Sequence, residues 1–375
     1  MAIEKQFPEE VIDTTTIQDA DSLDSEIIDV LEAMGEGEEN VQMQADGSAI
    51  LGPEEAMAPE VGFAENLAEV ISDQELSTIY IELVAAIESD KSSREDWEKT
   101  YTDGLKYLGM KFDDNRSEPF AGASGVIHPL LGESVTQFQA QAYKELLPAG
   151  GPVKTQVIGA YDGLVEEQAQ RVKEFMNYQI LHVMEEYDEE LDQMLFYLPL
   201  AGSAFKKVYY DETLGRPVSK FVAPEDLIVP YYTTDLETCS RITHVVKMPE
   251  NDVRKLQAIG FYKNVDVESG TNVNITSDVQ SEKEKLEGME PSYDDGEVSI
   301  LYEVHCNLDL EGFEDMGQDG EPSGVKLPYI VTIDSNSENI LAVRRNFKEE
   351  DPMKKKTEYF VHFKFLPGLG FYGFG

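Results

Sequence analysis

Positive charge is nearly missing from the first quarter of this chain: residues 1–90 carry 24 acidic side chains and one basic one, Lys5. The full chain has 74 Asp and Glu against 30 Lys and Arg, a net charge of -44, so more than half of that charge lies in the first quarter. Phosphate affinity comes from clustered Lys and Arg that release counterions, so a conventional nucleic-acid binder is excluded. Cysteine is scarce as well. Cys239 and Cys306 stand far apart and outside any CxxC pattern, which predicts two reduced thiols in a cytosolic setting. No run approaches 18 apolar residues, and the longest candidate, around Leu195 to Phe205, is broken by Pro199 and Gly202. A soluble chain with no membrane contact is expected. The opening MAIEKQFPEEV has neither a basic nor an apolar targeting region, and a GxxxxGK[ST] loop for nucleotide is missing throughout.

What is present suffices for a folded body: 375 residues, 41% of them hydrophobic, a length suited to two or three domains. Residues 1–73 read as a disordered acidic arm, because clusters such as Ile27, Ile28, Val30 and Leu31 are too small to offset the entropy of ordering. Its 24-to-1 charge ratio suits a basic assembly partner, on which Ser22 to Met34 is a candidate short helix. Asp19, Asp21 and Asp24 suggest a calcium loop, but Asp24 stands where the loop needs glycine and Val30 where it needs the closing glutamate.

Ordered structure is expected from near Gln74. Leu76, Ile79, Leu83 and Ile87 form one helical stripe and Trp97, Tyr101, Leu105 and Leu108 a second, with Ser92 and Glu95 at capping-box spacing between them. Glu167 to Leu198 is the strongest helical pattern; unbroken, it would span about 45 to 50 Å before Pro199 ends it. From Ala201 the period becomes two, predicting a hairpin with Thr213, Leu214 and Gly215 at its turn. A strand at Arg241–Lys247, a short helix in PENDVRKLQAIGF and a polar excursion over 264–296 follow. Further strands are predicted at Val298–Leu308, Tyr329–Ile333, Ile340–Arg345 and Tyr359–Phe365, with DSNSEN as a turn. The fold class is α+β: helical over 74–200, β-rich over 201–263, then the excursion and a second β region over 264–375.

Between the second and the strongest helical patterns lies a block from Arg116 to Thr155: a glycine-rich loop EPFAGASGVIHP, an amphipathic segment LLGESVTQFQAQAYKELL and a breaker PAGGPVKT. Pro129 suits a first-turn proline, and Leu130, Leu131, Val135, Phe138, Ala142 and Leu146 recur at mostly helical steps until Pro148, Gly150 and Gly151. Gln137, Gln139 and Gln141 offer neutral amides, which hydrogen-bond at a wet protein contact without the desolvation cost of a charge. Two readings stay open on periodicity alone. One is a subunit contact through Gln137, Phe138, Gln139 and Gln141; the other is a core helix with a polar outer face.

In the order of these blocks, the runs Asp96 to Gly159 and Ala201 to Gly375 resemble the portal proteins of tailed bacteriophages, short-tailed phages in particular. The resemblance implies a twelve-subunit ring at one capsid vertex, through which double-stranded DNA is packaged and later ejected. It implies terminase and tail-completion or adaptor proteins as partners, with scaffolding protein a candidate partner of the arm. It further implies a virion protein assembled in the host cytoplasm, with 74–263 as wing and 264–375 leading toward clip and stem. In that family a stretch like PGLGFYGFG leads into a long helix, so the chain is expected to be an N-terminal fragment. Another head-to-tail connector or adaptor is the alternative.

Candidate chemistry is thin, and no enzyme, metal or cofactor is expected. His182 with Glu185 and Glu186 has ligand-compatible spacing but lacks the second histidine of a zinc-protease motif; His128 reads as a cap or interface residue. Gly368, Gly370 and Gly373 match GxGxxG after a strand, yet Phe371 and Tyr372 crowd the turn and no βαβ unit precedes it. The acidic loop Asp309 to Ser323 reads as solvated. The few basic clusters are Lys206 and Lys207, Arg344 and Arg345, and Lys354, Lys355 and Lys356. Each suits a solvated strand end or loop. In a ring, twelve copies of the Lys354 to Lys356 loop would instead form a weak positive girdle, touching DNA without holding it, and Arg344 and Arg345 join Lys354, Lys355 and Lys356 as candidate DNA-channel or partner contacts.

Overall fold

The computed structural model describes residues 41–43, 49–51, 61–109, 128–159, 163–267, 278–287, 298–317, 321–368 and 370–375. Two compact units divide the chain at Pro59. In the first, β1 (Val41–Met43) and β2 (Ala49–Leu51) pair antiparallel. The rest of the acidic arm up to 60, including Ser22 to Met34 and Asp19, Asp21 and Asp24, lies outside the described residues, as does the glycine-rich loop up to 127.

Residues 60–375 form the second unit, which is α+β. Its packed chain starts well before Gln74. Leu67 and Ala68 in a 3-10 turn are fully buried, and Asn66 bonds the Leu341 carbonyl (3.0 Å) and the Val343 N–H (2.9 Å). Helix α1 (Asp73–Ser93) is capped by Ser72, whose Oγ accepts from the Glu75 N–H at 3.3 Å, so the working S-x-x-E spacing is here and not at Ser92. The predicted start at Ser92 is corrected: α1 runs through it and breaks at Arg94, whose side chain is drawn into the core, and α2 (Glu95–Leu108) follows.

The apolar stripe of α1 buries Leu76, Ile79, Leu83 and Ile87 on a five-stranded antiparallel sheet, order β5-β6-β7-β8-β9. Its strands are Leu227–Ile228, Arg241–Pro249, Val298–Leu308, Leu327–Asp334 and Ile340–Arg345. Tyr302, Val304 and Cys306 face the same cluster as α1, as strand alternation requires. Leu301 turns to the other face, where α6 (Glu250–Ala258) packs Val253 beside it. A three-stranded antiparallel sheet, order β10-β3-β4, is built from β3 (Ser203–Asp211), β4 (Arg216–Val222) and β10 (Phe360–Lys364). One face packs Phe205, Val222 and Phe360 with Leu227 and Val229; the other receives α5 (Tyr187–Ala201) through Leu191, Met194, Leu195 and Leu198. Strand pairing therefore crosses position 263, where the sequence pattern had suggested a boundary: β10 joins β3, and β7 joins β6.

Helices α3 (Leu130–Leu146) and α4 (Gly163–Tyr178) precede α5. The predicted unbroken helix over Glu167–Leu198 is corrected: α4 ends at Tyr178, a π turn spans Gln179–Val183, and α5 begins at Tyr187. Both ends are held from outside. The Asn177 amide accepts from the Val153 N–H (2.9 Å) and donates to its carbonyl (3.2 Å), while Glu186 and Glu190 accept from the edge N–H groups of Ser219 (3.1 Å) and Phe221 (2.6 Å) on β4. Those carboxylates also close an open sheet edge. Pro199 lies inside α5; the stop is Gly202, at φ +77°. The polar excursion contains α7 (Asp278–Glu287), which buries Val279 and pairs Lys283 with Glu225.

Candidate functional site

The predicted contact residues on α3 divide between two environments. Gln137 and Gln141 are exposed, whereas the Gln139 amide donates to the Asp192 carbonyl of α5 at 3.2 Å. Phe138 is half-buried within the chain: it meets Phe365 edge-on at 5.1 Å and packs with Ala142 and Tyr143 on α5. The apolar side of α3 is thus a packing face within the chain, as the core-helix reading allowed.

The five candidate DNA-channel or partner contacts are mostly engaged internally. Arg344 donates to the carbonyls of Ala64 (2.6 Å) and Phe261 (2.9 Å) and lies over the Phe261 ring. Arg345 donates to Gly62 and Phe63 and sits between the Phe63 and Phe313 rings. Lys354 pairs with Asp315 of the acidic loop at 2.5 Å, and Lys356 donates to the Leu236 carbonyl at 2.6 Å. Of the five, Lys355 is the exposed one. Four cations that sequence alone left open to phosphate are tied to backbone or carboxylate.

The glycines of PGLGFYGFG answer to packing. A Cβ at Gly373 would overlap the Gly202 and Leu366 carbonyl oxygens, one at Gly368 the Tyr372 carbonyl oxygen, and one at Gly370 the Tyr231 ring. Phe371 and Tyr372 are buried, and Leu366 and Phe374 exchange backbone hydrogen bonds. This is a clasp closing on β3, and it uses the glycines that a phosphate loop would need.

Side chains with chemical potential are similarly occupied. His182 lies in the π turn, while Glu186, its presumed co-ligand, pairs with Arg216 at 2.6 Å. Among the described residues no group of three or more His, Cys, Asp or Glu could hold a metal ion. Cys239 and Cys306 line a cavity of about 30 Å³ with His305, Asn346 and Lys356, room for one or two waters. Burial raises both thiols, Cys306 to about 12, so neither is a ready nucleophile.

Two buried charge clusters escaped the sequence reading. In the first, Glu303 on β7 receives Lys207 of β3 on both oxygens (2.6 and 2.7 Å) and His305 Nε2 at 2.8 Å, tying the two sheets together. Burial would raise its carboxyl, but the His305 hydrogen bond and the Lys207 charge overcome this and hold it well below the usual range. His244, opposite Glu303 on β6, is lowered to about 4, first by burial and then by Lys207. Polar residues at alternate positions within VSILYEVHCNL were the available signal.

The second cluster surrounds Arg94, which is 3% exposed and donates to the carbonyls of Pro224, Glu225 and Leu227 and to the Tyr372 hydroxyl. Trp97 stacks on Tyr372 at 4.3 Å beside it. Asp226 nearby is raised to about 6, by burial first and then by Glu225. A raised carboxyl favours the protonated fold, so its contribution is full below about 3.8 and lost as pH rises through about 6. Asp226→Asn should therefore stabilise the protein at pH 7 by roughly 3 kcal/mol and make its stability fall more steeply from pH 6 to 4, because the contribution that grows with acid is gone. Urea denaturation at several pH values checks this; an unchanged slope in the variant would assign the effect elsewhere.

No protein-family model matches the chain, and no curated protein matches it either. Fold and site define a class: an α+β body whose described ionisable clusters serve its own packing. Among the described residues no helix is long and apolar enough to cross a membrane.

Proposed function

We propose that the chain is a portal-type structural subunit of a tailed-phage virion. Copies form a ring at the unique capsid vertex, double-stranded DNA passes along its axis during packaging and ejection, and terminase and tail-completion proteins dock on it. The chain performs no catalysis; energy for packaging comes from the terminase. Beside the sequence resemblance, one observation carries the reading. Among the described residues the buried ionisable clusters are bound within the body, while α4, sixteen residues long, stands with an apolar stripe open to solvent. That arrangement suits assembly more than turnover. The engagement of Arg344, Arg345, Lys354 and Lys356 within the body also suits a conduit, since many phosphate contacts would hold DNA in place.

Electron microscopy of the full-length protein tests this. The expected result is rings of twelve with an axial channel. Rings of another subunit number would favour a connector or adaptor, and a monomer at micromolar concentration would count against both.

A further inference from the structure

We infer that α4 is a docking surface for a second copy of this chain, through Val165, Val172, Phe175 and Met176. At 100° per residue these four fall within an arc of about 100°, one face of the helix. Their exposures are 40, 50, 62 and 44%, and Asn177 is the one buried residue of α4. A helix of this length gains little from propensity; in proteins, packing of an amphipathic face supplies most helical stability. The stripe is held outward by construction. Asn177 fixes the C-terminal turn of α4 to Val153, and Gly151 lies so close to the Asn177 amide that a Cβ there would overlap it.

Charge selects the occupant. The chain carries a net -44, and two such surfaces repel wherever acids dominate. Along α4 the acids Glu166, Glu167 and Glu174 are nearly balanced by Arg171 and Lys173, so copies can meet there without that repulsion. A basic partner, which the acidic surface attracts elsewhere, gains nothing on a balanced apolar face. Val165, Gln168, Val172 and Phe175 also follow the alternating three and four spacing by which helices pair along a seam. The inference rests on the ring reading only in requiring copies to meet, and it moves the contact from the α3 glutamines to α4.

The test is light scattering of the full chain at micromolar concentration, comparing wild type with V172E/F175E and with Q137A/Q141A. The expected result is at least a tenfold loss of self-association in the α4 variant and none in the α3 variant. Far-UV circular dichroism should stay unchanged, since the substituted side chains lie at the surface. Should that variant fail to fold, a benzophenone side chain at position 172 should crosslink to another copy of this chain. Undiminished assembly of V172E/F175E, or crosslinks to no second copy, would overturn the assignment while leaving rings seen by microscopy intact. A monomeric wild type would overturn the ring reading as well.

Discussion

Gly202→Ala should destabilise the protein by about 4 kcal/mol or more in urea denaturation, the largest loss expected of any single methyl group added to the described chain. Two costs combine. At φ +77° an L residue adopts the left-handed region at about 1 to 2 kcal/mol. The new Cβ would also overlap the Gly373 carbonyl and the Phe374 backbone, neither of which can rotate away as a side chain would. Moving that backbone opens the Leu366–Phe374 bridge and lifts Phe371 and Tyr372 from the core, and each buried aromatic is worth about 1.5 to 3 kcal/mol. Gly215 supplies the control: its φ is +64°, but nothing lies within 4 Å of its Cβ position, so Gly215→Ala should cost about 1 kcal/mol. Equal losses at the two positions would mean that the clasp yields freely.

Local rules reached the strands because their causes are local. Val298–Leu308 and Ile340–Arg345 coincide with the observed β7 and β9, since alternation marks their length and Asp334 to Asn339 supply turn chemistry between β8 and β9. The hairpin turn was legible for the same reason: Asp211 accepts from the Thr213 and Leu214 N–H groups, and Gly215 takes positive φ. The break between α4 and α5 was not legible. Ile180, Val183 and Met184 keep helical step straight through it, and what breaks it is bonding to Val153 and to β4. Acid density likewise concealed the ordered chain at 61–72, because the groups that hold it lie on β9, some 280 residues away.

The same distance in sequence explains the candidate residues. Arg344 and Arg345 bond to backbone carbonyls, which leave no charge pattern to read, so a basic pair looked available when it was spent. The α3 glutamines could be placed on a helix but not on a side of it, because the packing partner, α5, is a separate element. The apolar character of α4 was visible as a stripe; its exposure was not, since periodicity marks a face without saying whether anything covers it.

Glu303→Gln should cost about 3 to 5 kcal/mol at pH 7, because it strands the Lys207 ammonium between sheets without its carboxylate. That ammonium sits 5.6 Å from the Phe360 and Tyr209 ring centroids, with a sixth of its side chain exposed, so water replaces the lost partner poorly. A double variant, K207M/E303L, removes the orphan as well as the pair and should lose less than Glu303→Gln alone. The pH dependence follows from direction. Glu303 is held below its ordinary 4.5, so its stabilisation is present above that pH and fades as pH falls toward the lowered value. His244, lowered from 6.5 to about 4, loses its contribution between those values, while Asp226 gains over much of the same window. His362, lowered to about 3 by burial and then by Lys364, loses its contribution over the same range. Wild-type stability should therefore fall from pH 6 to 4 with Asp226 offsetting part of the loss, and Glu303 adds to acid unfolding below that. The gap between wild type and Glu303→Gln should accordingly be widest at neutral pH and close in strong acid. A gap independent of pH would mean that Glu303 acts through its shape and hydrogen bonds, its charge contributing nothing.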